Sequence, residues 1–549
     1  MKYLKKNNFI EGTIIATLAI IVVKILGMLY VIPFYKIVGS SGGALYSYSY
    51  NIYLIFLGIS SAGLPDAIAK IISEYNALNY NDAKVRAYKI GRKLISIIAV
   101  VSFVILFVFA EEIGVFIIGG LDGVNTAKDV AFVVRCVSPA VLLIPFLSIT
   151  KGYLQGHKYI GPSSLSQFIE QLVRIIVILA GSYLVLNVFN GSLSLAIGIA
   201  VSGAFFGGLA AIIYLRHSIK KSDLSFVELE KKDAVSNKEI TKKIIKYAIP
   251  FVIISIVSHL YNFTDQILVL RTLESMGFPS NDVESIAASI STWAPKICMI
   301  INAMAMGMTM NLVPTIVDAI TKKNRVEVEN KINKSLSMIV FISLPLSLGL
   351  CVLSASVWTI FYEVNTYGSE ILSLMVFSAL FGNLYLIVST ICQSLSKYKL
   401  VYKVSITGFL LNAILDVPIM YLFKVIHFKP YLGSITASII GYSVSVLIGL
   451  STLRKENNIK YTETIKNVFK TLVPGGAMVL VLLIINRFLP FNVTTYSGAI
   501  ITIIINTIVG GIIYVLISYK MGLIDEILGK EMVRKTIKKL TLGKLDIKN

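Results

Sequence analysis

The chain has 549 residues, of which 56% are hydrophobic and 15% are charged, and its mean hydropathy is +0.78. Soluble domains carry about 25% charged residues, so the composition excludes a soluble protein and predicts a helical membrane protein with many spans. The formal net charge is +21, but the basic residues are interleaved between apolar segments. This pattern excludes a nucleic-acid-binding patch and indicates positive-inside topology with contacts to anionic membrane lipids.

Apolar windows long enough to cross a bilayer follow one another from end to end of the chain. About fourteen are predicted, approximately over 10–38, 45–73, 91–119, 128–151, 161–186, 193–215, 243–271, 285–318, 335–361, 369–395, 401–423, 431–453, 467–489 and 493–519. The cations concentrate in the even-numbered connections, whereas the opposite connections carry mainly Asp and Glu. This asymmetry predicts that both termini lie in the cytoplasm.

The long charged connection after the sixth span predicts two lobes. A repeat supports this division, because Tyr153-LQGHKYIGPSSLSQFIEQLVRIIVIL is similar to Ile391-CQSLSKYKLVYKVSITGFLLNAILDVPI. Parallel lobes on either side of a substrate are a recurrent transporter plan. We therefore predict an all-α polytopic membrane protein with two six-helix lobes and two further helices. Its parts are an N-lobe (1–216), a cytoplasmic linker (217–242), a C-lobe (243–453), the last two spans (454–520) and a basic cytoplasmic tail (521–549). The tail is expected on the inner leaflet, with a solvated tail as the alternative.

Two lysines lie deep inside predicted spans. Lys24 lies about 20 Å along the first span at the helical rise per residue, and Lys296 lies roughly midway along the eighth. A lysine at such a depth costs on the order of 3 kcal/mol on insertion scales. No partner for either is visible in the local sequence, which favours a cavity that holds an anion.

The fifth span carries both signs of charge. Glu170 and Arg174 are four residues apart on one helix face, where they can pair, and Gln167 and Gln171 extend this polar stripe. A structural ion pair that joins helices is an equal alternative to a substrate site. Arg135 in the fourth span is better explained as structural or interfacial.

The second lobe carries an acidic group of residues. Asp265 lies in the outer half of the seventh span, and Asp416 lies in the outer half of the eleventh, with Asn412 one turn before it. Carboxylate and amide oxygens suit a small hard cation such as Na⁺ or a proton. Direct pairing of an Asp with a lysine across the lobes is the competing explanation.

Several features argue against an enzyme. The connections predicted to face outward are short, and the chain has no Walker-type ATP-binding sequence and no His-Glu-x-x-His zinc site. The four cysteines lie inside apolar segments without metal-ligand spacing. A polymerase or ligase acting on polyprenyl-linked sugars is therefore the least favoured class. A multidrug cation exporter is also disfavoured, because its cavity needs carboxylates where this chain has lysines.

Several stretches carry a family resemblance that covers nearly the whole chain. They are Lys24-ILG with Gly39-SSGGALYSYSYNIY, Ala62-GLPDAIAKIISEY, Gly152-YLQGHKYIGPSSLSQFIEQLVRIIVI, Ala248-IPF and Leu312-VP. They resemble the multidrug/oligosaccharidyl-lipid/polysaccharide (MOP) exporter superfamily. Its closest branch comprises the MurJ-type lipid II flippases and the stage V sporulation protein B-like proteins of Gram-positive bacteria.

The resemblance implies a flippase that moves an undecaprenyl-pyrophosphate-linked peptidoglycan precursor (lipid II) to the outer leaflet by alternating access. A flippase for another lipid-linked polysaccharide unit is the alternative. The resemblance implies substrate-binding roles for Lys24 and, about one position from its aligned place, Lys296. The cation cluster of other members is not reproduced in full here; Glu170 and Arg174 are expected to supply part of it, because the sporulation-type branch carries them. Tyr30 and Phe56 stand at about the places where other members have arginines.

A second implied site would bind Na⁺ in the second lobe. In some family members an Asp of the seventh span, an Asn-x-x-x-Asp of the eleventh and a Thr of the twelfth form it. Asp265, Asn412, Asp416 and Thr436 match those places. We expect no catalytic residue, no covalent cofactor, a monomer in a bacterial plasma membrane, and a cycle coupled to an ion gradient or to the membrane potential.

Overall fold

The chain is helical throughout the part that the computed structural model describes, namely residue 19 and residues 22–61, 63–220, 233–362, 364–488 and 490–528. Within these ranges there is no strand, and thirteen helices are long and apolar enough to cross a membrane. The predicted all-α polytopic membrane fold is confirmed. Most of the first span before residue 22, the linker residues 221–232 and the tail residues 529–549 lie outside the described residues.

The helices follow the predicted spans with a few interruptions. In chain order they are α1 (22–29), α2 (Val31–Ser61), α3 (Leu64–Ala77), α4 (Asn81–Val108), α5 (Ala110–Ile118), α6 (Ala127–Gly156), α7 (Ile160–Tyr183), α8 (Leu193–Lys220), α9 (Asn237–Ser275), α10 (Ser280–Ala288), α11 (Ala294–Thr321), α12 (Arg325–Val352), α13 (Ser354–Phe361), α14 (Thr366–Ser394), α15 (Tyr398–Val425), α16 (Leu432–Asn457), α17 (Thr462–Phe488), α18 (Tyr496–Lys520) and α19 (Leu523–Leu528). Single π-helical turns at Leu184–Val188 and Ser289–Trp293 continue α7 and precede α11.

Gly39 reverses the chain direction inside α2. Its backbone has φ 66° and ψ −172°, a conformation that only glycine adopts readily. The hydroxyls of Tyr30 and Tyr46 are 3.4 Å apart, whereas residues sixteen positions apart on a straight helix are separated by about 24 Å. The first candidate span, Val22–Ser61, is therefore a helical hairpin that contains two predicted spans. The thirteen candidates thus account for all fourteen predicted spans.

Three predicted spans are interrupted where the sequence windows showed only continuous apolarity. The second stops at Ser61 and resumes at Leu64, because Gly63 has φ +71° and Pro65 in the first turn of α3 has no N–H to donate. The third breaks at Phe109, between α4 and α5. The ninth breaks at Leu353, between α12 and α13.

The chain forms two compact units. The first comprises Met1–Ile297 and Phe409–Ala437, and in its described part α6 packs against α2, α3, α4 and α8. The second comprises Cys298–Gly408 and Ser438–Asn549, and in it α12 packs against α14 and α17. The lobe boundaries inferred from the sequence stay a prediction.

The internal repeat is visible in the backbone of two turns. Lys158, between α6 and α7, and Ser396, between α14 and α15, occupy the same place in the repeat and have φ values of 68° and 56°. Each donates its N–H to the carbonyl of the glutamine three residues earlier, Gln155 or Gln393, over 2.9 Å. The same left-handed turn also follows other helices of the described chain, for example at Lys323 and His427, so it agrees with the repeat but is not specific to it.

Candidate functional site

Four aromatic rings surround the ammonium of Lys296. Its Nζ lies 5.0 Å from the ring centre of Tyr30, 4.7 Å from Tyr46, 5.8 Å from Tyr50 and 4.6 Å from Trp293. It also donates a hydrogen bond of 2.9 Å to the Tyr30 hydroxyl. All four distances lie within the range of cation–π contacts. We call Tyr30, Tyr46, Tyr50 and Trp293 the aromatic cage.

The local fold explains how the rings converge. The reversal at Gly39 brings Tyr30 back against Tyr46, and Tyr46 and Tyr50 are neighbours one turn apart on α2, stacked at 5.1 Å with an angle of 24°. Trp293 is 1% exposed and stacks on Tyr46 at 5.9 Å. The sequence placed a cation at Lys296 but gave no indication of this cage, because its rings come from segments that are far apart in the chain.

Arg174 contacts the same cage from α7. Its guanidinium carbon lies 5.3 Å from the Tyr50 ring centre, and its Nη2 donates a hydrogen bond of 3.1 Å to the Tyr50 hydroxyl. Tyr50 therefore contacts both cations, and the Arg174 and Lys296 cationic centres are no more than about 11 Å apart, the sum of their distances to that ring. Neither cation forms a salt bridge with any carboxylate in the described part of the chain.

Glu170 does not pair with Arg174, although their spacing would allow it; it forms an ion pair with a different helix instead. Its carboxylate forms a salt bridge of 2.8 Å with Lys151, and the two side chains are 20% and 10% exposed. Spacing on one helix shows which residues can meet, but Arg174 is turned toward Tyr50 and α6 presents Lys151 to α7. The fourth predicted span ends at residue 151, whereas α6 continues to Gly156 and buries Lys151.

Lys24 lies on α1 and is half-buried. Among the described residues it has neither an ion-pair partner nor a hydrogen-bond partner. The structure therefore brings Arg174 and Lys296 together at the aromatic cage, and it shows no contact between Lys24 and that group.

The acidic residues of the predicted Na⁺ site form a buried group. Asn412 on α15 donates a hydrogen bond of 3.1 Å to Asp265 on α9, and Asp416 lies beside Asp265 and the Ser434 hydroxyl. Asp265 is 4% exposed, and Asn412 and Asp416 are fully buried. Neither carboxylate oxygen of Asp416 has a hydrogen bond of normal geometry in the described chain. Buried charge requires a counterion or a proton, so these oxygen donors fit a small cation.

Thr436 is less closely involved than the sequence suggested. Its hydroxyl donates to the Leu432 carbonyl of its own helix over 2.9 Å, whereas Ser434, two residues earlier on α16, lies beside Asp416. Among the described residues, no three His, Cys, Asp or Glu side chains are placed so that together they could hold a metal ion. This donor set suits a monovalent cation better than a divalent ion, which usually gathers more carboxylates.

A buried network of uncharged polar side chains joins α2 to α9 and to the π-helical turn before α11. Its members are Ser47, Asn51, Gln266, Ser291 and Thr292. Asn51 donates to Gln266 over 3.0 Å, and the hydroxyls of Ser47 and Thr292 are 2.7 Å apart. Uncharged polar side chains are inconspicuous in an apolar segment, so the sequence did not predict this network.

Comparison with protein families gives two matches. Residues 9–319 match the family described as polysaccharide biosynthesis protein, and residues 250–417 match the MatE family.

Known relatives match most of the chain. It is 30% identical to the lipid II flippase MurJ of Bacillus subtilis (strain 168) over 538 residues, which are 96% of this chain and 98% of that protein. It is 21% identical to stage V sporulation protein B of the same organism, over 61% of this chain and 62% of that protein. A solved structure of the lipid II flippase MurJ in an inward closed conformation has the same fold. Its TM-score is 0.63 at 18% identity, and it covers 93% of this chain and 99% of that chain.

Proposed function

The chain belongs to the polysaccharide biosynthesis protein family and to the MurJ-like branch of the MOP superfamily, and from this premise we propose that it is a flippase for lipid II. The protein is a multi-pass membrane transporter. In our proposal it carries the undecaprenyl-pyrophosphate-linked peptidoglycan precursor from the inner to the outer leaflet by alternating access. The proposed location is a bacterial plasma membrane, with both termini in the cytoplasm.

One observation carries this proposal. Three cations in membrane-spanning segments, Lys24, Arg174 and Lys296, have no carboxylate partner in the described part of the chain. Such charges are expensive in a bilayer and mark substrate pathways. A diphosphate supplies the missing negative charge and accepts charge-assisted hydrogen bonds from lysine and arginine. Glu170 has an indirect role in this proposal. Its salt bridge with Lys151 keeps its carboxylate away from Arg174.

The assignment of the lipid-linked glycan as the substrate rests on the relatives of this chain. The match covers 98% of the B. subtilis lipid II flippase, so nearly all of that transporter has a counterpart in this chain. We propose the same lipid-linked peptidoglycan unit for this chain, because cations that have no carboxylate partner among the described residues suit a diphosphate headgroup and disfavour a cationic drug.

We further propose that Na⁺ binds at Asp265, Asn412 and Asp416, with a hydroxyl from Ser434 or Thr436, and couples transport to its gradient. The buried donor set supports this assignment. When bound, Na⁺ would supply the positive charge that two adjacent buried carboxylates require. Release of the ion would leave them repelling each other, and this repulsion would favour a different packing of α9 and α15.

Complementation tests the proposed function directly. The full-length chain is expressed in a bacterial strain depleted of its own lipid II flippase, and growth is scored. We expect wild-type protein to restore growth, and we expect Arg174→Ala and Lys296→Ala to fail at equal membrane abundance. Lys322→Ala is the matched control, because Lys322 is an exposed cation paired with Asp318. Full rescue by both Arg174→Ala and Lys296→Ala would refute the anion site, and failure of the wild-type protein would favour another lipid-linked glycan as the substrate.

A further inference from the structure

We propose that the aromatic cage positions Lys296 opposite Arg174 and thereby sets the spacing of a two-cation clamp for the diphosphate. In this role Tyr30, Tyr46, Tyr50 and Trp293 are positioning residues, since they act through the two cations. The inference rests on the proposed function and deepens it, because it says what makes the site selective for a diphosphate over a single phosphate.

The cage holds the ammonium without neutralising it. A lysine ammonium is a compact charge on a flexible four-carbon stem, so an unsupported lysine places that charge poorly. A carboxylate would fix it, but it would also compete with the substrate for the same charge. Aromatic faces attract a cation through their quadrupole and carry no formal charge. Rings at 4.6 to 5.8 Å therefore hold the Lys296 ammonium without placing a carboxylate beside it that would compete with an anion.

The hydrogen-bond count leaves donors for a ligand at both cations. An ammonium has three N–H donors and a guanidinium has five. In the described chain Lys296 uses one of them on Tyr30, and Arg174 uses one on Tyr50. Both acceptors are phenol oxygens, which are weaker partners than phosphate oxygens because they carry no charge. The remaining N–H groups can bind phosphate oxygens without breaking a salt bridge.

Tyr50 fixes the distance between the two cations. Arg174 is held at its ring and hydroxyl, and Lys296 is held at the same ring and at Tyr30. Two like charges at this separation repel each other and would move apart if they were not held. With both anchored to one side chain, their spacing is set before the substrate arrives, and a diphosphate can bridge it with its two phosphate groups.

The competing explanation is that the cage merely solvates a buried lysine. Both explanations predict that loss of a ring destabilises the protein. Only the positioning role predicts a change in selectivity between pyrophosphate and orthophosphate, since only that role concerns the spacing of two cations.

The test measures binding of inorganic pyrophosphate and of orthophosphate to the full-length protein in nanodiscs by calorimetry. We expect Tyr46→Leu to weaken pyrophosphate binding by roughly 3- to 30-fold, the factor that a desolvated cation–π contact carries. The affinity for orthophosphate should fall by less than about half of that factor. The ratio of the pyrophosphate affinity to the orthophosphate affinity therefore falls. Tyr46→Phe retains the ring and should restore both values to near those of the wild type.

Controls separate this inference from the proposed function. If Lys296→Ala binds pyrophosphate as tightly as the wild type, the anion site itself is wrong. If Lys296→Ala loses binding while a folded Tyr46→Leu keeps its affinity and selectivity, only the positioning role is wrong. Should Tyr46→Leu fail to fold, Tyr30→Phe replaces it, because this variant keeps the ring and removes only the hydrogen bond to Lys296. Unchanged selectivity in Tyr30→Phe would then overturn the inference.

Discussion

The salt bridge between Lys151 and Glu170 offers the sharpest test of how the charges in the membrane are divided between structure and transport. The two groups are 2.8 Å apart and only 10% and 20% exposed. We expect Lys151→Met alone and Glu170→Met alone each to destabilise the protein strongly, because each leaves one charge without its partner. The double variant Lys151→Met/Glu170→Met should recover most of the loss, because no unpaired charge remains.

The magnitude follows from the geometry. At 2.8 Å and an effective dielectric constant of about 20, the attraction is about 6 kcal/mol. Desolvation of the two groups offsets roughly half of it, so breaking the pair should cost about 3 kcal/mol. Replacing both groups by methionine should change the free energy of unfolding by less than about 1 kcal/mol. The coupling energy in the double-mutant cycle, which is the loss in the double variant minus the two single losses, is then about 5 to 6 kcal/mol in magnitude.

The assay is unfolding of the purified proteins in mixed micelles with increasing SDS, followed by circular dichroism. Additive losses in the double variant would refute the reasoning, because additivity means that the two residues do not interact. Complementation with the double variant then decides whether Glu170 has a structural role or a substrate-binding role. Rescue of growth makes the pair structural, whereas a stable double variant without rescue returns Glu170 to the substrate site.

Three further outcomes follow from other parts of the structure. We expect Na⁺, compared with choline, to raise the melting temperature of the wild-type protein but not of Asp416→Asn; equal rises would remove the Na⁺ site. Gly207→Ala should destabilise by about 1 to 3 kcal/mol, because its methyl group would collide with a backbone carbonyl of α7. By contrast, Gly476→Ala, which meets no atom within 4 Å, should be neutral or stabilising by up to about 1 kcal/mol in the same unfolding assay. The hydrogen bond from Lys470 holds the pKa of the Glu526 carboxyl below its usual value. The stabilisation is therefore present above about pH 4.3 and lost as the pH falls through the folded-state pKa. Between pH 7 and pH 3.5 the wild-type protein should therefore lose more free energy of unfolding than Glu526→Gln does. Because Glu526 is 40% exposed, the difference should be less than about 1 kcal/mol, measured by thermal unfolding.

The sequence was sufficient for the spans and for the positions of the charges inside them. The mean hydropathy over about 20 residues detects a bilayer-crossing helix whatever its neighbours are. A charged residue such as Lys296 or Asp416 is conspicuous within such an apolar window. Partners were harder to predict because they depend on which helix faces which. Spacing on one helix allowed Arg174 to pair with Glu170, but α6 brings Lys151 to Glu170 and α2 brings Tyr50 to Arg174.

The uncharged residues of the candidate site were also not predicted from the sequence. The rings of Tyr30, Tyr46 and Tyr50 look like ordinary apolar residues of the first two spans, and only the turn at Gly39 brings the first of them onto the other two. Ser434 and Thr436 are equally plausible hydroxyl donors by composition. Two residues of difference on a helix correspond to about 200° of rotation, so only the packing of α16 shows which one lies beside Asp416.

The hairpin at Gly39 also fixes an order of events during synthesis. Three rings of the cage lie between residues 30 and 50, whereas Lys296 and its neighbour Trp293 come some 250 residues later. At a translation rate of about 5 to 20 residues per second, the ribosome needs roughly 12 to 50 seconds to cover that distance. Throughout that interval the tyrosines have no lysine to enclose. The first two spans are therefore synthesised well before the lysine and the tryptophan with which their tyrosines complete the site.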